Sequence, residues 1–284
     1  MAVQSRLEHS PELTGFLGLY RFARDPLGSL ERAQRLHGDA VGFAQRGGSN
    51  LLVCHPDAIE AMLVARHAEF KKDLFTRDLA QLLGSGLLTN EGEAWRRQRR
   101  LMSPSFRPRE IEAYGETMVD CAESALESFE DGASCDLYQA MMQLALDVVA
   151  RTLFGAEFKR FSEVEECLAI ADRSYREVWR TWRAFVRGWL PLASLHRLAE
   201  ARRRLDQVLH EIIREKRRNP GQDLLSRLIT LTDDTGHGMS DDQVRDEAMT
   251  VFLAGHETTA LALTYTLHLL ATHPDVYREQ LAEV

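Results

Sequence analysis

A short run of residues near the end of the chain places an acid and two hydroxyls beside residues too small to fill space. Residues 254–259 read Ala-Gly-His-Glu-Thr-Thr and lie inside a long helical pattern. Glycine in a helix interior costs ~1 kcal/mol relative to alanine, and threonine competes for backbone carbonyls. Ala254 and Thr258 stand four residues apart, with Gly255 between them, so the small side chains and one hydroxyl share a face. The pattern therefore predicts a cavity with a hydroxyl beside it, and Glu257 lies about 100° around the helix.

Two simpler interpretations of this motif involve a metal ion or no chemistry at all. The His-Glu pair invites comparison with the HExxH helix of zinc proteases, but the second ligand would be Ala260, so the spacing excludes zinc. In a structural interpretation, Gly255 permits close helix packing while Thr258 and Thr259 bond back to carbonyls. Glu257 is harder to explain in this way, because an acid in a buried helix costs about several kcal/mol unless it is paired or protonated.

A long buried helix must position the motif. Ser240 is a good N-cap, acidic residues follow it in the first turn, and the helical pattern continues to about Thr272, where His273-Pro274 ends it. At about 1.5 Å per residue such a helix is roughly 48 Å long. The pattern is apolar over most of the circumference across 248–270. This predicts a helix that is buried along that range.

The rest of the chain is predicted to be mainly α-helical with a small β corner. Strands over 41–46 and 51–55 are joined through the glycine-rich residues 47–50. Helical periodicity predicts further helices over 26–37, 56–64, 91–101, 109–129, 136–154, 162–186 and a stripe over 198–213 that ends before Asn219-Pro220-Gly221. No linker or internal repeat divides the chain, so we expect a single domain over 1–284.

Composition restricts the classes of partner and compartment. The net charge is −8, the sequence pI is about 5.7 and the basic clusters are local, which argues against nucleic acid as the main partner. Four scattered cysteines show neither metal spacing nor a disulfide framework, which indicates a reducing cytoplasm. The sequence has no run of ~18 apolar residues, so no membrane span is expected, and the N-terminus does not resemble a signal peptide.

The 254–259 motif resembles the distal long-helix motif of the cytochrome P450 family of haem-thiolate monooxygenases, whose pattern is small-Gly-x-acid-Thr-Thr. A second motif, Trp-Arg-Arg-Gln-Arg from Trp95 to Arg99, resembles the family's Trp-x-x-x-Arg helix. The similarity covers essentially the whole chain and implies the cytochrome P450 fold with haem as cofactor. It implies that Trp95 and Arg99 contact a haem propionate. An ordinary cation–aromatic pair at i, i+4 remains an alternative for these two residues.

The resemblance also implies a reaction and a role for each motif residue. The family inserts one atom of O2 into an apolar organic substrate, with electrons from NAD(P)H delivered by a ferredoxin or a flavodoxin-like reductase. Ala254 and Gly255 would leave room for dioxygen beside the haem. Thr258 would donate a hydrogen bond during oxygen activation, and Glu257 would relay protons from solvent. Haem would carry the redox chemistry, and the protein would supply the pocket and the protons.

The same resemblance makes the chain similar to the N-terminal two-thirds of the family fold. The family's iron ligand is a cysteine in a Phe-x-x-Gly-x-x-x-Cys-x-Gly loop beyond the long helix, and no cysteine of this sequence matches it. Cys135 comes closest, but its spacing is one residue short and it precedes the long helix. We therefore expect a domain truncated after the long helix, without the iron ligand. An inactive fragment, a helical scaffold or a haem-binding remnant is the alternative.

Substrate and redox partner are predicted less directly. By family resemblance, residues 73–86 and an aromatic stripe lie near the access channel, although these aromatics also suit a packed core. The stripe consists of Tyr175, Trp179 and Trp182. A basic group on the Trp-x-x-x-Arg helix could face an acidic electron donor, or could be an ordinary solvated surface. That group consists of Arg96, Arg97 and Arg100.

Overall fold

The computed structural model describes residues 13, 15–45, 48–73, 76, 79–80, 83–155, 163, 166–167, 170, 173 and 192–283. Contacts between Cα atoms group the chain into two compact units, residues 1–71 and 72–284. The described part is mainly helical with one small sheet, which confirms the predicted fold class. Of the helix predicted over 162–186, the structure describes only residues 163, 166–167, 170 and 173, which are helical, and a single domain over 1–284 stays a prediction.

The first unit combines helices with an antiparallel strand pair. Its elements are α1 (Gly15–Arg24), α2 (Pro26–His37), β1 (Ala40–Gln45), β2 (Gly48–Val53) and α3 (Pro56–Glu60), followed by a π-helical stretch (Ala61–Ala65) and a 3₁₀ turn (His67–Glu69). Ala40 pairs with Val53, and Gln45 pairs with Gly48. Residues 48–50, predicted in the connection, therefore belong to β2, because ladder bonds satisfy backbone groups that a longer loop would leave unpaired.

The second unit is a helical assembly. Its helices are α4 (Gly92–Met102), α5 (Pro108–Glu127), α6 (Leu137–Phe154), α7 (Leu192–Arg218), α8 (Leu224–Thr230), α9 (Asp241–Thr272) and α10 (Pro274–Glu283), with a 3₁₀ turn at Ser103–Phe106 after α4. The helices predicted from 91, 109 and 136 begin within one residue of those positions. Asp136 explains one of these starts, because its side chain accepts a hydrogen bond from the Gln139 amide.

Helix α9 is the long helix that the sequence predicts, with the predicted ends. Ser240 and Gln243 form a reciprocal capping box at its start, which satisfies two backbone donors that the first turn leaves unpaired. The helix has 32 residues and packs mainly on α6. Its N-terminal half crosses the main hydrophobic core, where Val244, Ala248 and Phe252 are buried with residues of α6, α7 and α8.

Burial along the second half of α9 differs from the prediction. Ala260 is buried against Met141 and Ala145 of α6, but Leu261, Tyr265, Leu267 and Leu269 are exposed. The predicted burial over 248–270 is therefore wrong for most of the positions beyond Ala260. Among the described residues, the cluster around Ala260 is formed mainly with α6, while most of the large apolar side chains farther along this half remain exposed. Within the described residues, none of the helices is long and apolar enough to cross a membrane.

Candidate functional site

The motif on α9 shows both features of the structural interpretation. A Cβ atom placed on Gly255 would lie 2.8 Å from Val149 Cγ2 of α6, so glycine allows α9 and α6 to approach more closely than any other residue would. Thr258 Oγ1 donates a hydrogen bond to the Ala254 carbonyl oxygen at 2.7 Å. The predicted shared face of Ala254 and Thr258 is therefore present, and the hydroxyl oxygen retains its capacity to accept a further hydrogen bond.

The same face is open to solvent, which the structural interpretation does not require. Ala254, Thr258 and Thr259 are exposed, whereas Gly255 and Glu257 are half-buried. The Glu257 carboxyl group thus avoids the full cost of burial that the sequence pattern assigned to it, and that part of the prediction is wrong. A half-buried acid next to an exposed hydroxyl can exchange protons with solvent. The geometry therefore places an acid at the edge of the open surface that carries Ala254 and Thr258.

Trp95 and Arg99 come together on α4. The guanidinium carbon of Arg99 lies 5.3 Å from the centroid of the Trp95 ring, a cation–π arrangement. Trp95 is half-buried and Arg99 is exposed, so the charge faces outward. In the part of the chain that the structure describes, no carboxylate pairs with this guanidinium, and no hydrogen bond links these two residues to Ala254 or Thr258. The pair can bind an anionic group.

Arg97, the neighbour of this pair, is already engaged. Its Nε donates to Asp233 Oδ2 at 2.9 Å, and its Nη2 donates to the carbonyl oxygens of His237 and Gly238. Hydrogen bonds from the Thr235 hydroxyl, the His237 amide and Arg97 hold the pKa of Asp233 well below its usual range. Arg97 therefore fastens α4 to the turn before α9. The Arg97 guanidinium is therefore not available to bind a partner protein, whereas the Arg100 side chain is exposed.

Sequence reasoning missed the most deeply buried acid of the described residues, Glu247 on α9. Its side chain is fully buried, and Oε2 accepts a hydrogen bond from the Leu87 amide at 2.9 Å. Burial raises the pKa of Glu247 to about 7. The sequence contains a signal for the burial of Glu247, because Val244 lies three residues before it and Val251 four residues after it, on the same apolar stripe.

The comparisons with known proteins agree with the motifs. A sequence profile described as Cytochrome P450 matches residues 9–284, and the chain belongs to the cytochrome P450 family. It is 35% identical over 254 residues to cyclooctat-9-en-7-ol 5-monooxygenase of Streptomyces melanosporofaciens, covering 87% of this chain and 55% of that protein. It is 31% identical over 250 residues to pentalenene oxygenase of Streptomyces avermitilis, covering 84% and 54%. The chain thus spans little more than half the length of these relatives.

Solved structures support the fold. The haem domain of cytochrome P450DA matches with a TM-score of 0.77 and 23% identity, over 97% of this chain and 60% of that one. Retinoic acid-bound cyanobacterial CYP120A1 matches with a TM-score of 0.73 and 23% identity, over 91% and 58%. The described helices and the small sheet therefore form part of the cytochrome P450 fold, as the motifs predict.

The close contact at Gly255 leads to a stability prediction. Alanine at position 255 gains ~1 kcal/mol of helix propensity but overpacks against Val149, at a cost of about 1–3 kcal/mol. We expect Gly255→Ala to lower the free energy of unfolding by about 1 kcal/mol. Because Val149→Ala removes the clashing side chain, the double variant should be more stable by about 1–2 kcal/mol than the sum of the two single effects predicts. Urea unfolding of the two single variants and the double variant measures this coupling.

Gly115 provides the control for this experiment. It lies inside α5, and a Cβ atom placed there meets nothing within 4 Å. Gly115→Ala should therefore raise the free energy of unfolding by ~0.5–1 kcal/mol through helix propensity alone. Additive effects of the changes at 255 and 149 would contradict a packing role for Gly255.

Proposed function

We propose that the protein is a haem-dependent monooxygenase, which inserts one atom of O2 into an apolar organic substrate with electrons from NAD(P)H supplied through a redox partner. The observation that carries this proposal is the solvent-open face of α9, where the exposed Ala254 places a small side chain beside the exposed Thr258 hydroxyl, with the half-buried Glu257 next to it in the chain. A helix that serves packing alone has no need of an exposed hydroxyl beside an exposed small residue in this arrangement.

The residues of the chain suit a haem group at two points. Ala254 presents a small, exposed side chain that a flat ring can approach, while the neighbouring Gly255 packs against α6. Arg99, exposed and carried over the Trp95 ring, can hold an anionic propionate by charge-assisted hydrogen bonds. When bound, haem supplies the redox chemistry that activates O2.

The side chains of α9 would then manage protons and water. The Thr258 hydroxyl donates to the Ala254 carbonyl at rest, and rotation about the Cβ–Oγ1 bond can redirect its hydrogen toward the open face. Glu257 reaches solvent from its half-buried position and can resupply that proton. Gly255 keeps α9 close to α6, so the backbone beneath these groups stays in place while they act.

Substrate class and electron donor follow from the relatives and from the charges on α4. Two relatives carry names for the oxygenation of cyclooctat-9-en-7-ol and of pentalenene, which supports an apolar small molecule as substrate. An acidic ferredoxin or flavodoxin-like reductase suits the exposed Arg100, while Arg96 pairs with Glu93 and Arg97 with Asp233. The aromatic stripe predicted near the access channel lies outside the described residues. A cytoplasmic location remains a prediction.

A non-catalytic helical scaffold or haem-binding remnant is the second candidate. The Thr258 hydrogen bond to Ala254 and the contact of Gly255 with Val149 both have a packing role without any chemistry. The exposed apolar side chains of Leu261, Tyr265 and Leu269 also suit a protein whose α9 serves as an attachment surface.

Haem titration followed by a carbon monoxide difference spectrum separates these functions. In a protein that carries the family's cysteine loop we expect haem binding, and we expect Arg99→Leu to weaken that binding at least about tenfold, because a charge-assisted hydrogen bond contributes about 1.5–3 kcal/mol. Arg100→Leu is the matched control on the same helix and should bind haem as the unaltered protein does. A thiolate-type Soret band after reduction supports the monooxygenase. Haem binding without that band supports a haem-binding remnant, and a protein that takes up no haem is the scaffold.

A further inference from the structure

Three consecutive residues of α9 hold the loop that leads into α4, here called the 83–90 loop (residues 83–90). Arg245 Nη1 donates to the Leu83 carbonyl at 3.1 Å. Asp246 Oδ2 accepts from the Ser85 amide at 2.6 Å, and Glu247 Oε2 accepts from the Leu87 amide at 2.9 Å. Alternate residues of the loop thus bond to successive residues of the helix. This arrangement fixes the loop along one edge of α9.

Glycine makes this close approach possible. A Cβ atom on Gly86 would overlap Thr250 Oγ1 and lie 2.7 Å from the Asp246 carbonyl oxygen, and one on Gly84 would overlap the Asp246 carboxylate. Gly84 also has a φ of 76°, in the left-handed region that side chains disfavour. The loop therefore lies directly against the backbone of α9, and no side chain separates them.

The other side of the 83–90 loop holds α4. The Gln98 side chain is buried and donates to the Ser85 carbonyl at 2.8 Å, and it accepts from the Asn90 side chain at 3.0 Å. Gln98 stands next to Arg99 and one turn from Trp95. Hydrogen bonds thus connect Glu247 on α9, through the loop, to the helix that carries the cation–aromatic pair.

Glu247 is the residue in this hydrogen-bonded connection whose protonation state can change. It is fully buried, and its Oε1 atom is buried without a hydrogen-bond partner among the described residues. On its own helix, the Asp246 carboxylate disfavours a second negative charge, while the Arg245 guanidinium pairs with Asp246 and with Asp206 of α7. From the segment before the loop, the Lys72 ammonium favours that charge and also interacts with Glu91.

Burial decides between these opposing effects. An ionised carboxylate with one unpaired oxygen in an apolar surrounding costs more than a neutral acid with one unpaired hydroxyl. Lys72 offsets only part of this cost, since its ammonium is hydrogen-bonded to the carbonyl oxygens of Leu87 and Asn90. The neutral acid still accepts the Leu87 amide through Oε2, so the loop stays bound when Glu247 is protonated.

We propose that Glu247 is a positioning residue, which in its neutral form holds the 83–90 loop on α9 and so places Trp95 and Arg99, and whose ionisation releases the loop. The hold on the loop stands on the geometry alone. The consequence for an anion bound at Trp95 and Arg99 rests on the proposed haem function.

The sign of the pH effect follows from the direction of the shift. Opening the loop exposes Glu247 to water and returns its pKa from about 7 toward 4.5, so opening releases a proton. The closed loop is therefore most stable below about pH 4.5, loses stability as the pH rises to about 7, and changes little above that. Between pH 6 and pH 8 the population of the open loop should rise by about tenfold.

Hydrogen–deuterium exchange of the 83–90 amides tests this directly. After the intrinsic pH dependence of amide exchange is divided out, we expect the unaltered protein to show a ~tenfold increase in loop opening between pH 6 and pH 8. Amides of α5 serve as the internal reference and should show no such increase. Glu247→Gln, a neutral isostere that still accepts the Leu87 amide, should remain closed across this range.

Glu93→Gln is the matched control, since it removes an exposed acid from the neighbouring α4 and should leave the pH dependence of the loop unchanged. Loop opening that is independent of pH in the unaltered protein overturns the proposal without any variant. An unchanged pH dependence in Glu247→Gln overturns it as well.

Haem affinity measured over the same pH range tests the link to Trp95 and Arg99. We expect it to fall from pH 6 to pH 8 in the unaltered protein and to stay constant in Glu247→Gln. The same fall in both proteins overturns the positioning role, while the exchange result for the loop still stands. A protein that binds no haem at any pH overturns the proposed function, and the positioning role with it.

Discussion

On the proposed monooxygenase function, and in a protein that carries the family's cysteine loop, replacement of Thr258 by valine should separate the consumption of reducing equivalents from the formation of product. Valine keeps the branched shape of threonine but has no hydroxyl, so the hydrogen bond to the Ala254 carbonyl disappears and the open face loses its proton donor. A positioned proton donor contributes about 10²–10⁴-fold to a proton-transfer step. We expect product formation to fall on the order of 10²-fold, while the electrons from NAD(P)H reduce O2 to hydrogen peroxide instead.

The measurement compares product, peroxide and consumed NAD(P)H in the same reaction. Thr258→Ser keeps a hydroxyl and should retain most of the coupling. Thr259→Val, at the adjacent exposed position, removes a hydroxyl that is not on the Ala254 face, so its coupling should match the unaltered protein. Because Thr258 is exposed, its replacement should change the free energy of unfolding by less than about 0.5 kcal/mol. Full coupling in Thr258→Val would contradict the proton-donor role.

Among the variants proposed for this protein, replacement of Phe252 by alanine should lower the free energy of unfolding most. Phe252 is 1% exposed, and its ring centroid lies 6.1 Å from that of Phe154 on α6 and 5.8 Å from that of His256. Removing a buried phenylalanine side chain costs about 3–5 kcal/mol, because the loss of buried area is joined by a cavity. Since a domain has a net stability of only ~5–15 kcal/mol, this variant should be close to unfolding.

Urea unfolding followed by far-ultraviolet circular dichroism measures this loss. Leu261→Ala is the matched control on the same helix, because Leu261 is 37% exposed and its side chain buries much less surface. Its cost should stay below about 1 kcal/mol. Equal midpoint shifts for the two variants would show that α9 does not cross the core at Phe252.

Local signals account for most of the elements that the sequence predicted. The start of α9 at Ser240 was predictable because a capping box involves only residues within one turn, and its end because proline at 274 cannot continue a helix. The small sheet was predictable from two β-rich runs on either side of a glycine pair. Its register was not, since pairing of Gln45 with Gly48 depends on contacts between strands.

The candidate site was predictable in its residue types and only partly in its surroundings. The spacing of Ala254, Gly255 and Thr258 placed them on one face, and the spacing of Trp95 and Arg99 placed their side chains in contact. The exposure of that face and the half-buried state of Glu257 were not predicted. Apolar periodicity shows which face of a helix is suited to burial, but it does not show whether another element packs on that face.

Glu247 and the 83–90 loop also show which features a local sequence pattern cannot predict. The sequence by itself determined the family, the long helix and the two motifs, since each depends on spacing within one element. Only the tertiary structure decided which acid is buried, because the partners of Glu247 and Asp246 lie 160 and 161 residues away in the chain. The cost of a buried charge depends on those distant neighbours, and no local pattern specifies them.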